Sequence, residues 1–226
     1  MPSSSHIFDA VLFDMDGTLV DSTAGVVGAW EEFAQMYPNV KVQMQDILSA
    51  HGVRTVENLR KYCGVTDPDE LEREAERFEK AIVTSSVKDG RQGIVLLPGV
   101  RSIIDNLSPY AKMPNARWTI CTSATRSYAS AALEIAGIEK PETSVFAEDV
   151  ESGKPAPDPY LLGLVVEDAP AGIRSGQAAG CKTLGVITSH SREQMEAVSP
   201  NFLVPNLQSV TMKITEAGVV LTIEVP

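Results

Sequence analysis

The chain has 226 residues, of which 43% are hydrophobic and 22% charged, and its formal net charge is −11 at pH 7. This composition is typical of a globular protein, and the length allows one large core with a smaller inserted domain. The negative charge argues against nucleic acid as a partner, because phosphate backbones attract basic surfaces.

The N-terminal segment, Met1–His6, lacks the basic and apolar regions of a signal peptide. No apolar stretch approaches the ~20 residues that a membrane span needs. The three cysteines form no C-x-x-C pair and are odd in number, which favours buried thiols in a reducing compartment over a disulfide or a metal site. We therefore expect a cytoplasmic protein without a membrane partner, and a monomer as its state in solution.

The first predicted strand is the apolar run Ile7–Phe13, which leads into Asp14-Met-Asp16-Gly17-Thr18. Side chains of a strand alternate with period two, so Asp14 and Asp16 should lie on the same side. Gly17 allows a tight turn just past the strand end. The motif thus supplies a nucleophilic carboxylate, a second carboxylate that can transfer protons, and an oxygen-rich pocket suited to Mg²⁺. The alternative is a plain polar turn, since Asp-Gly is common in turns.

Residues 22–88 are predicted to be mostly helical, with apolar residues such as Val26, Trp30, Phe33 and Tyr37 at helical spacing. Asp67 resembles an N-cap with Pro68 at the first helical position, which opens a charged helix through about Ile82. For Asp21 we prefer the role of N-cap of the first helix over that of a hinge. The pattern predicts a helical insertion over 21–89, with 1–20 and 90–226 forming the core.

The rest of the chain alternates predicted strands with predicted helices. The strands are Arg117–Cys121, Val145–Ala147, Leu164–Val166 and Thr183–Ile187, the helices are Val100–Leu107, Tyr128–Ala136 and Ile173–Ala179, and Phe202–Val225 is predicted as one or two edge strands. This alternation indicates an α/β protein with a doubly wound, mainly parallel, Rossmann-like sheet.

Polar groups follow the strand ends in a fixed order: carboxylates, hydroxyls, a lysine and carboxylates again. Thr122-Ser123 follows the second strand, Gly153-Lys154-Pro155 comes after the third, and Glu167-Asp168 follows the fourth. Ligands of doubly wound sheets bind at the carboxyl ends of the strands, so these groups are expected to form one site.

One crossover is too short for this architecture. Only 12 residues separate Lys154 from Glu167. A helix that retraces a five-residue strand covers ~17 Å, or about 11 residues at ~1.5 Å each, and Tyr160–Gly163 provides four. An extended crossover would leave part of one sheet face uncovered, whereas parallel sheets are normally covered on both faces. A missing segment, for example a skipped exon, is at least as good an explanation as a natural variant.

The four motifs together resemble those of the haloacid dehalogenase-like hydrolase superfamily, over roughly residues 8–190. The segments around Asp14–Ser22, His51–Thr55 and Glu167–Ile173 look like the fungal 2-deoxyglucose-6-phosphate and glycerol-phosphate phosphatases. The resemblance implies that the insertion is a cap domain that closes over the site and selects substrates.

The resemblance also implies roles for individual residues. Asp14 would be the nucleophile that forms an aspartyl-phosphate, and Asp16 the general acid and base. The Mg²⁺ ligands would be the Asp14 carboxylate, the Asp16 main-chain carbonyl and Asp168, with Glu167 nearby. Phosphate oxygens would be bound by the Ser123 hydroxyl, the Ala124 amide and Lys154, with Thr122 as the alternative hydroxyl. In the cap, His51 and Arg54 would contact the substrate, or else form an exposed polar helix start.

These roles predict a Mg²⁺-dependent phosphatase that acts on a small phosphorylated metabolite, namely a sugar or polyol phosphate. A phosphomutase uses the same four motifs and remains an alternative, as does a catalytically impaired chain that lacks the helix before Glu167. Dehalogenation is disfavoured, because Asp16 supplies an acid/base group that hydrolysis of a carbon–halogen bond at this site does not use.

Overall fold

A five-stranded parallel sheet forms the centre of the protein in a computed structural model that describes residues 3–37, 52–113, 116–160 and 163–224. Its order is β5-β2-β6-β7-β8, and all neighbours are parallel. The strands are β2 (Val11–Phe13), β5 (Trp118–Ile120), β6 (Leu164–Glu167), β7 (Lys182–Val186) and β8 (Phe202–Val204). The central strands β2 and β6 are buried throughout, as expected for a parallel sheet covered on both faces. The predicted doubly wound α/β fold is confirmed.

The prediction of one strand over Ile7–Phe13 is wrong, because the run belongs to two sheets. β1 (Ser3–Phe8) pairs antiparallel with β10 (Gly218–Glu224), which also pairs with β9 (Val210–Thr215). The main sheet begins just after this break, where the Ala10 carbonyl accepts a hydrogen bond from the Leu164 amide at 2.9 Å. The predicted C-terminal edge strands are therefore split, since β8 extends the parallel sheet and β9 and β10 pair with the N-terminus.

Three helices follow the first motif, and we call them the inserted helices: α1 (Thr23–Met36), α2 (Thr55–Cys63) and α3 (Pro68–Ser85). Aromatic residues join them, with the Phe78 ring 4.7 Å from Trp30 and 4.9 Å from Phe33 between centroids. The predicted N-cap is confirmed, because Asp67 Oδ1 accepts a hydrogen bond from the Glu70 amide at 2.9 Å.

The N-cap prediction for Asp21 is wrong by one residue. Ser22 is the N-cap of α1, and Asp21 instead accepts a hydrogen bond from the Thr23 amide at 3.0 Å. Asp21 ends a short strand, β3 (Val20–Asp21), that pairs antiparallel with β4 (Val95–Leu96). The chain thus enters and leaves the inserted helices through two adjacent strands, which keeps Ser22 close to the first motif.

The remaining helices lie where they were predicted, within a few residues: α4 (Val100–Leu107), α5 (Arg126–Ala136) and α6 (Pro170–Ala178), with a short additional helix, α7 (Arg192–Glu196). The predicted strand Val145–Ala147 is reduced to a single bridge between Val145 and Cys121. Ala147 already begins a 3-10 turn that ends at Asp149. Among the described residues, no helix is both long and apolar enough to cross a membrane.

The short crossover contains no helix in its described part, residues 150–160 and 163. β6 nevertheless pairs with both β2 and β7. The expectation of an uncovered sheet face is wrong at Leu12 and Val165, which are 3% and 0% exposed. Both belong to a small apolar cluster with Cys121, Tyr160 and Cys181. A buried tyrosine therefore packs on the sheet where a crossover helix was expected.

Candidate active site

The parallel register brings three strand ends to one edge of the sheet. Phe13 lies opposite both Ile120 and Val166, so the residues that follow each strand meet at the same level. The Asp14 amide donates to the Val166 carbonyl at 3.0 Å, which anchors the first motif beside the last. The residues that follow β2, β5 and β6 therefore lie together at one edge of the sheet.

Lys154 forms the centre of the site. Its ammonium lies 2.5 Å from Asp14 Oδ1 and 2.7 Å from Glu167 Oε1, and all three side chains are almost fully buried. Burial lowers the pKa of Lys154, but the charges of the two carboxylates outweigh this effect and raise that pKa above its ordinary value. The lysine therefore stays charged at neutral pH.

Glu167 holds this lysine in place. Its Oε1 also accepts a hydrogen bond from the Tyr160 hydroxyl at 2.8 Å, and its Oε2 accepts one from the Ala169 amide at 3.1 Å. A Cβ atom at Gly172 would lie 1.7 Å from Glu167 Oε1, so only glycine permits this carboxylate so close to the start of α6. Tyr160 was not predicted from the sequence, where its only signal was its place in the short crossover.

Asp14, Glu167 and Asp168 form a buried acidic cluster in which one oxygen of each lies within 4.8 Å of the others. Burial raises the pKa of Asp14, the Lys154 charge opposes this, and the neighbouring carboxylates add to it. Three carboxylates against one lysine leave an excess of buried negative charge. Hard oxygen donors with excess negative charge fit Mg²⁺, so the residues present suit this ion.

Thr18 and Gly17 position Asp168 within the cluster. Thr18 Oγ1 donates to Asp168 Oδ1 at 3.2 Å. Gly17 has a φ of +85°, and a Cβ there would lie 2.3 Å from Asp168 Oδ2. The turn after Asp16 therefore requires glycine both for its backbone conformation and for the approach of this carboxylate.

Asp16 lies beside the cluster and is oriented by two hydroxyl groups. Ser22 Oγ donates to its Oδ1 at 2.6 Å, and the Tyr128 hydroxyl donates to the same oxygen at 2.7 Å. Burial and the Asp16 charge raise the pKa of Tyr128 well above its ordinary value, so the phenol remains a donor. Neither partner was identified from the sequence, because Tyr128 reads as an ordinary core residue of α5 and Ser22 as a helix start.

The predicted phosphate-binding hydroxyls lie at the end of β5. Ser123 Oγ donates to the Gly52 carbonyl at 3.1 Å, which links this motif to the chain just before α2. The Ala124 amide donates to Thr122 Oγ1 at 3.1 Å. Thr122, the alternative hydroxyl, thus bonds within its own loop, whereas Ser123 bonds to the chain just before α2.

An open cavity of about 80 Å³ lies between this edge of the sheet and the inserted helices. Its polar lining consists of Asp14, Asp16, Ser22, Asn58, Thr122 and Ser123, and its apolar lining includes Val26, Trp30, Val53, Phe78, Ile82 and Tyr128. The cavity therefore combines the Asp14 and Asp16 carboxylates with a mixed polar and apolar wall.

The two predicted specificity residues have different outcomes. His51 lies outside the described residues. Arg54 precedes α2, and its guanidinium donates to the Glu151 carbonyl at 3.0 Å and to the Val150 carbonyl. Its side chain also packs against Gly153, where a Cβ would lie 2.9 Å from Nε. Arg54 thus contacts the loop that carries Lys154.

Glu79 is a further buried carboxyl that the sequence analysis missed. It comes from α3 and accepts hydrogen bonds from Thr55 Oγ1 at 2.8 Å, from the Thr125 amide at 3.3 Å and from the Thr125 hydroxyl. Burial raises its pKa to about 7. In the charged sequence of α3, nothing nearby distinguishes Glu79 from the exposed glutamates.

Known proteins resemble the chain along most of its length. The profile of the haloacid dehalogenase-like hydrolase family matches residues 11–186. Hexitol phosphatase A of Escherichia coli is 34% identical over 89% of this chain and 92% of its own length. Glycerol-1-phosphate phosphohydrolase 2 of Saccharomyces cerevisiae is 32% identical, over 89% and 84%.

The fold is also that of a solved structure, a HAD hydrolase of Entamoeba histolytica, with a TM-score of 0.72 at 21% identity over 90% of this chain and 95% of that one. The resemblance inferred from the four motifs is confirmed. The chain belongs to the haloacid dehalogenase-like hydrolase family, as a phosphoric monoester hydrolase.

Proposed function

We propose that this enzyme is a Mg²⁺-dependent phosphatase that hydrolyses a small sugar or polyol phosphate through an aspartyl-phosphate on Asp14. The observation that carries the proposal is the buried Asp14 carboxylate, which lines the cavity and lies 2.5 Å from the Lys154 ammonium with Asp16 two residues away. A nucleophile, a fixed cation and an acid/base group are thereby joined at one point.

In the first step, a carboxylate oxygen of Asp14 attacks phosphorus, and the bond from phosphorus to the ester oxygen breaks. Asp16 gives its proton to the departing alkoxide, so the alcohol leaves neutral. Asp16 then takes a proton from a water molecule that attacks the phosphoryl group. The bond to Asp14 breaks, and inorganic phosphate and the free carboxylate are restored.

Lys154 and Glu167 support both steps by fixed charge. Lys154 binds the transferring phosphoryl oxygens, and its contacts with Asp14 and Glu167 hold it ready without reorganisation. Bound Mg²⁺, held by Asp14, the Asp16 carbonyl and Asp168, would neutralise negative charge on the phosphoryl group. Glu167 already has Lys154, Tyr160 and the Ala169 amide as partners, so we assign it to the lysine rather than to the metal.

The proposed substrate class rests on the cavity and on the relatives. A wall that combines Trp30 and Phe78 with Asn58 suits a small molecule with both CH and OH groups. The relatives named above carry hexitol and glycerol phosphate in their names. We further propose that residues 21–89 form a cap that selects the substrate, since α1, α2 and α3 supply this wall.

The test is phosphate release from glycerol, hexitol and hexose phosphates with Mg²⁺ present. Asp14→Asn removes the nucleophile, so it should abolish turnover. Because the change is isosteric, the melting temperature should change little. Asp105→Asn changes an exposed carboxylate of α4 and serves as the matched control. Activity of Asp14→Asn close to that of the wild type would refute the covalent mechanism. An isomerised sugar phosphate in place of inorganic phosphate would identify a phosphomutase instead.

A further inference from the structure

We propose that Tyr128 is a positioning residue that, together with Ser22, orients the Asp16 carboxyl so that its proton is delivered into the cavity. The inference rests on the proposed function, and it assigns a role to a tyrosine that none of the four motifs contains. Its basis is the convergence of two hydroxyl donors on one oxygen of the acid/base group.

Both hydroxyls donate to Oδ1 of Asp16, Ser22 at 2.6 Å and Tyr128 at 2.7 Å. A neutral carboxyl has one carbonyl oxygen, which accepts, and one hydroxyl oxygen, which donates. Two donors on Oδ1 make that oxygen the carbonyl one. The transferable proton is therefore placed on Oδ2, and rotation of the carboxyl group is opposed by two hydrogen bonds at once.

The two donors come from different parts of the fold. Ser22 precedes α1, so its position depends on the inserted helices, whereas Tyr128 lies one turn into the core helix α5. α5 begins directly after Thr122–Ala124 at the end of β5. Tyr128 therefore orients Asp16 from the same rigid element that follows the phosphate-binding loop, and it is itself only 5% exposed.

Tyr128 and Asp16 both line the cavity, so the pair that the hydroxyl joins borders the space open to a substrate. A leaving alkoxide must meet a proton that points towards it, because general acid catalysis requires hydrogen-bond geometry in the transition state. Loss of one of the two donors should thus weaken protonation of the leaving group while binding of the substrate is retained.

The experiment compares two substrates, of which only one has a leaving group that must be protonated by a general acid. The leaving group of glycerol phosphate is a basic alkoxide that must be protonated. The leaving group of p-nitrophenyl phosphate is a stable phenolate, which needs no proton. The value of kcat/KM reports the step that cleaves the ester, before water attacks. For Tyr128→Phe we expect kcat/KM to fall about 10- to 100-fold on glycerol phosphate, part of the ~10²–10⁴-fold that general acid catalysis supplies. On p-nitrophenyl phosphate kcat/KM should change little.

Tyr160→Phe is the matched control, since it removes another buried tyrosine hydroxyl from the same site. That hydroxyl donates to Glu167 at 2.8 Å and acts on the Lys154 side. The control should therefore lower kcat/KM on both substrates by similar factors. Ser22→Ala removes the other donor to Asp16 and should reproduce the selective loss of Tyr128→Phe.

Equal losses on the two substrates, or no loss on either, in a Tyr128→Phe protein with normal thermal unfolding would overturn the role of Tyr128. Ser22→Ala decides the question if Tyr128→Phe fails to fold. A wild-type protein that hydrolyses neither substrate would instead refute the proposed function. A crystal structure of Tyr128→Phe distinguishes failure of the positioning role from failure of the proposed function. It should show the Asp16 carboxyl rotated. An unchanged Asp16 rotamer would contradict the positioning role whatever the activity.

Discussion

The carboxyl of Glu79 and the backbone amide of Thr125 lie 3.3 Å apart and join the inserted helix α3 to the start of the core helix α5. The Thr125 hydroxyl donates to the same carboxyl, as does Thr55 from α2. This junction lies next to the loop Thr122–Ala124, so it fixes the inserted helices beside the proposed phosphate-binding motif. A buried acid at such a place makes the junction sensitive to pH.

We expect Glu79 to make the unfolding free energy fall as pH rises from about 5 to 8. In the unfolded chain the carboxyl loses its proton near pH 4.5, whereas burial keeps it protonated to about pH 7 in the folded protein. The folded state thus binds more protons than the unfolded chain in this window, so the free energy of unfolding falls as pH rises through it. A shift from 4.5 to about 7 corresponds to roughly 3 kcal/mol.

Urea unfolding of the wild type and Glu79→Gln at pH 5 and pH 8 measures this effect. The wild type should lose about 2.5 kcal/mol more than the variant between the two pH values, because the unfolded carboxyl is already mostly ionised at pH 5. Glu76→Gln, an exposed neighbour on α3, should behave like the wild type. Parallel pH dependences of the wild type and Glu79→Gln would show that the Glu79 proton is not linked to folding.

Mg²⁺ should raise the unfolding temperature of the protein, because a ligand that binds only the folded state stabilises it by about 2.7 kcal/mol at 100 times its Kd. EDTA should reverse the shift and stop phosphate release. Asp168→Ala removes one carboxylate of the cluster, so the Mg²⁺ concentration for half-maximal activity and for half-maximal stabilisation should both increase strongly. Asp105→Ala is the control, and full activity in chelator would contradict the metal site.

Arg54→Ala should lower kcat by a similar factor on glycerol phosphate, hexose phosphates and p-nitrophenyl phosphate. Arg54 donates to two carbonyls of the loop before Lys154, so its removal should displace the lysine. A misplacement of ~1 Å can cost on the order of 10²-fold in rate, so a loss of about 10-fold or more is expected. Asn58→Ala, in the cavity wall, should instead alter the ranking of substrates. A change in ranking with Arg54→Ala and normal p-nitrophenyl phosphate hydrolysis would assign Arg54 to substrate contact.

Tyr160→Ala should destabilise the protein by ~3–5 kcal/mol, the range for loss of a large buried aromatic side chain. Tyr160 packs with Leu12 and Val165 on the sheet face beside the short crossover, so its removal leaves a cavity there. Ile135→Ala, at a half-exposed position of α5, provides a comparison that should cost far less. Equal melting temperatures of Tyr160→Ala and the wild type would mean that this face is covered by other groups.

Much of the fold follows from local patterns. Asp67 and Pro68 begin α3, Gly137 ends α5, and the buried apolar run Leu164–Val166 forms β6. These features depend on residues close together in the chain, so short-range stereochemistry and burial are enough to predict them. The break between β1 and β2 could not be predicted, because β1 pairs with a strand more than 200 residues away.

The candidate site divides in the same way. The sequence by itself determined that Asp14, Asp16, Lys154 and Asp168 meet, since each follows a strand end or occupies a motif whose order restricts its place. Only the tertiary structure decided their partners: Glu167 and Tyr160 around Lys154, Ser22 and Tyr128 on Asp16, and the burial of Glu79. Hydrogen bonds between side chains far apart in the chain depend on helix packing and register, which no local pattern encodes.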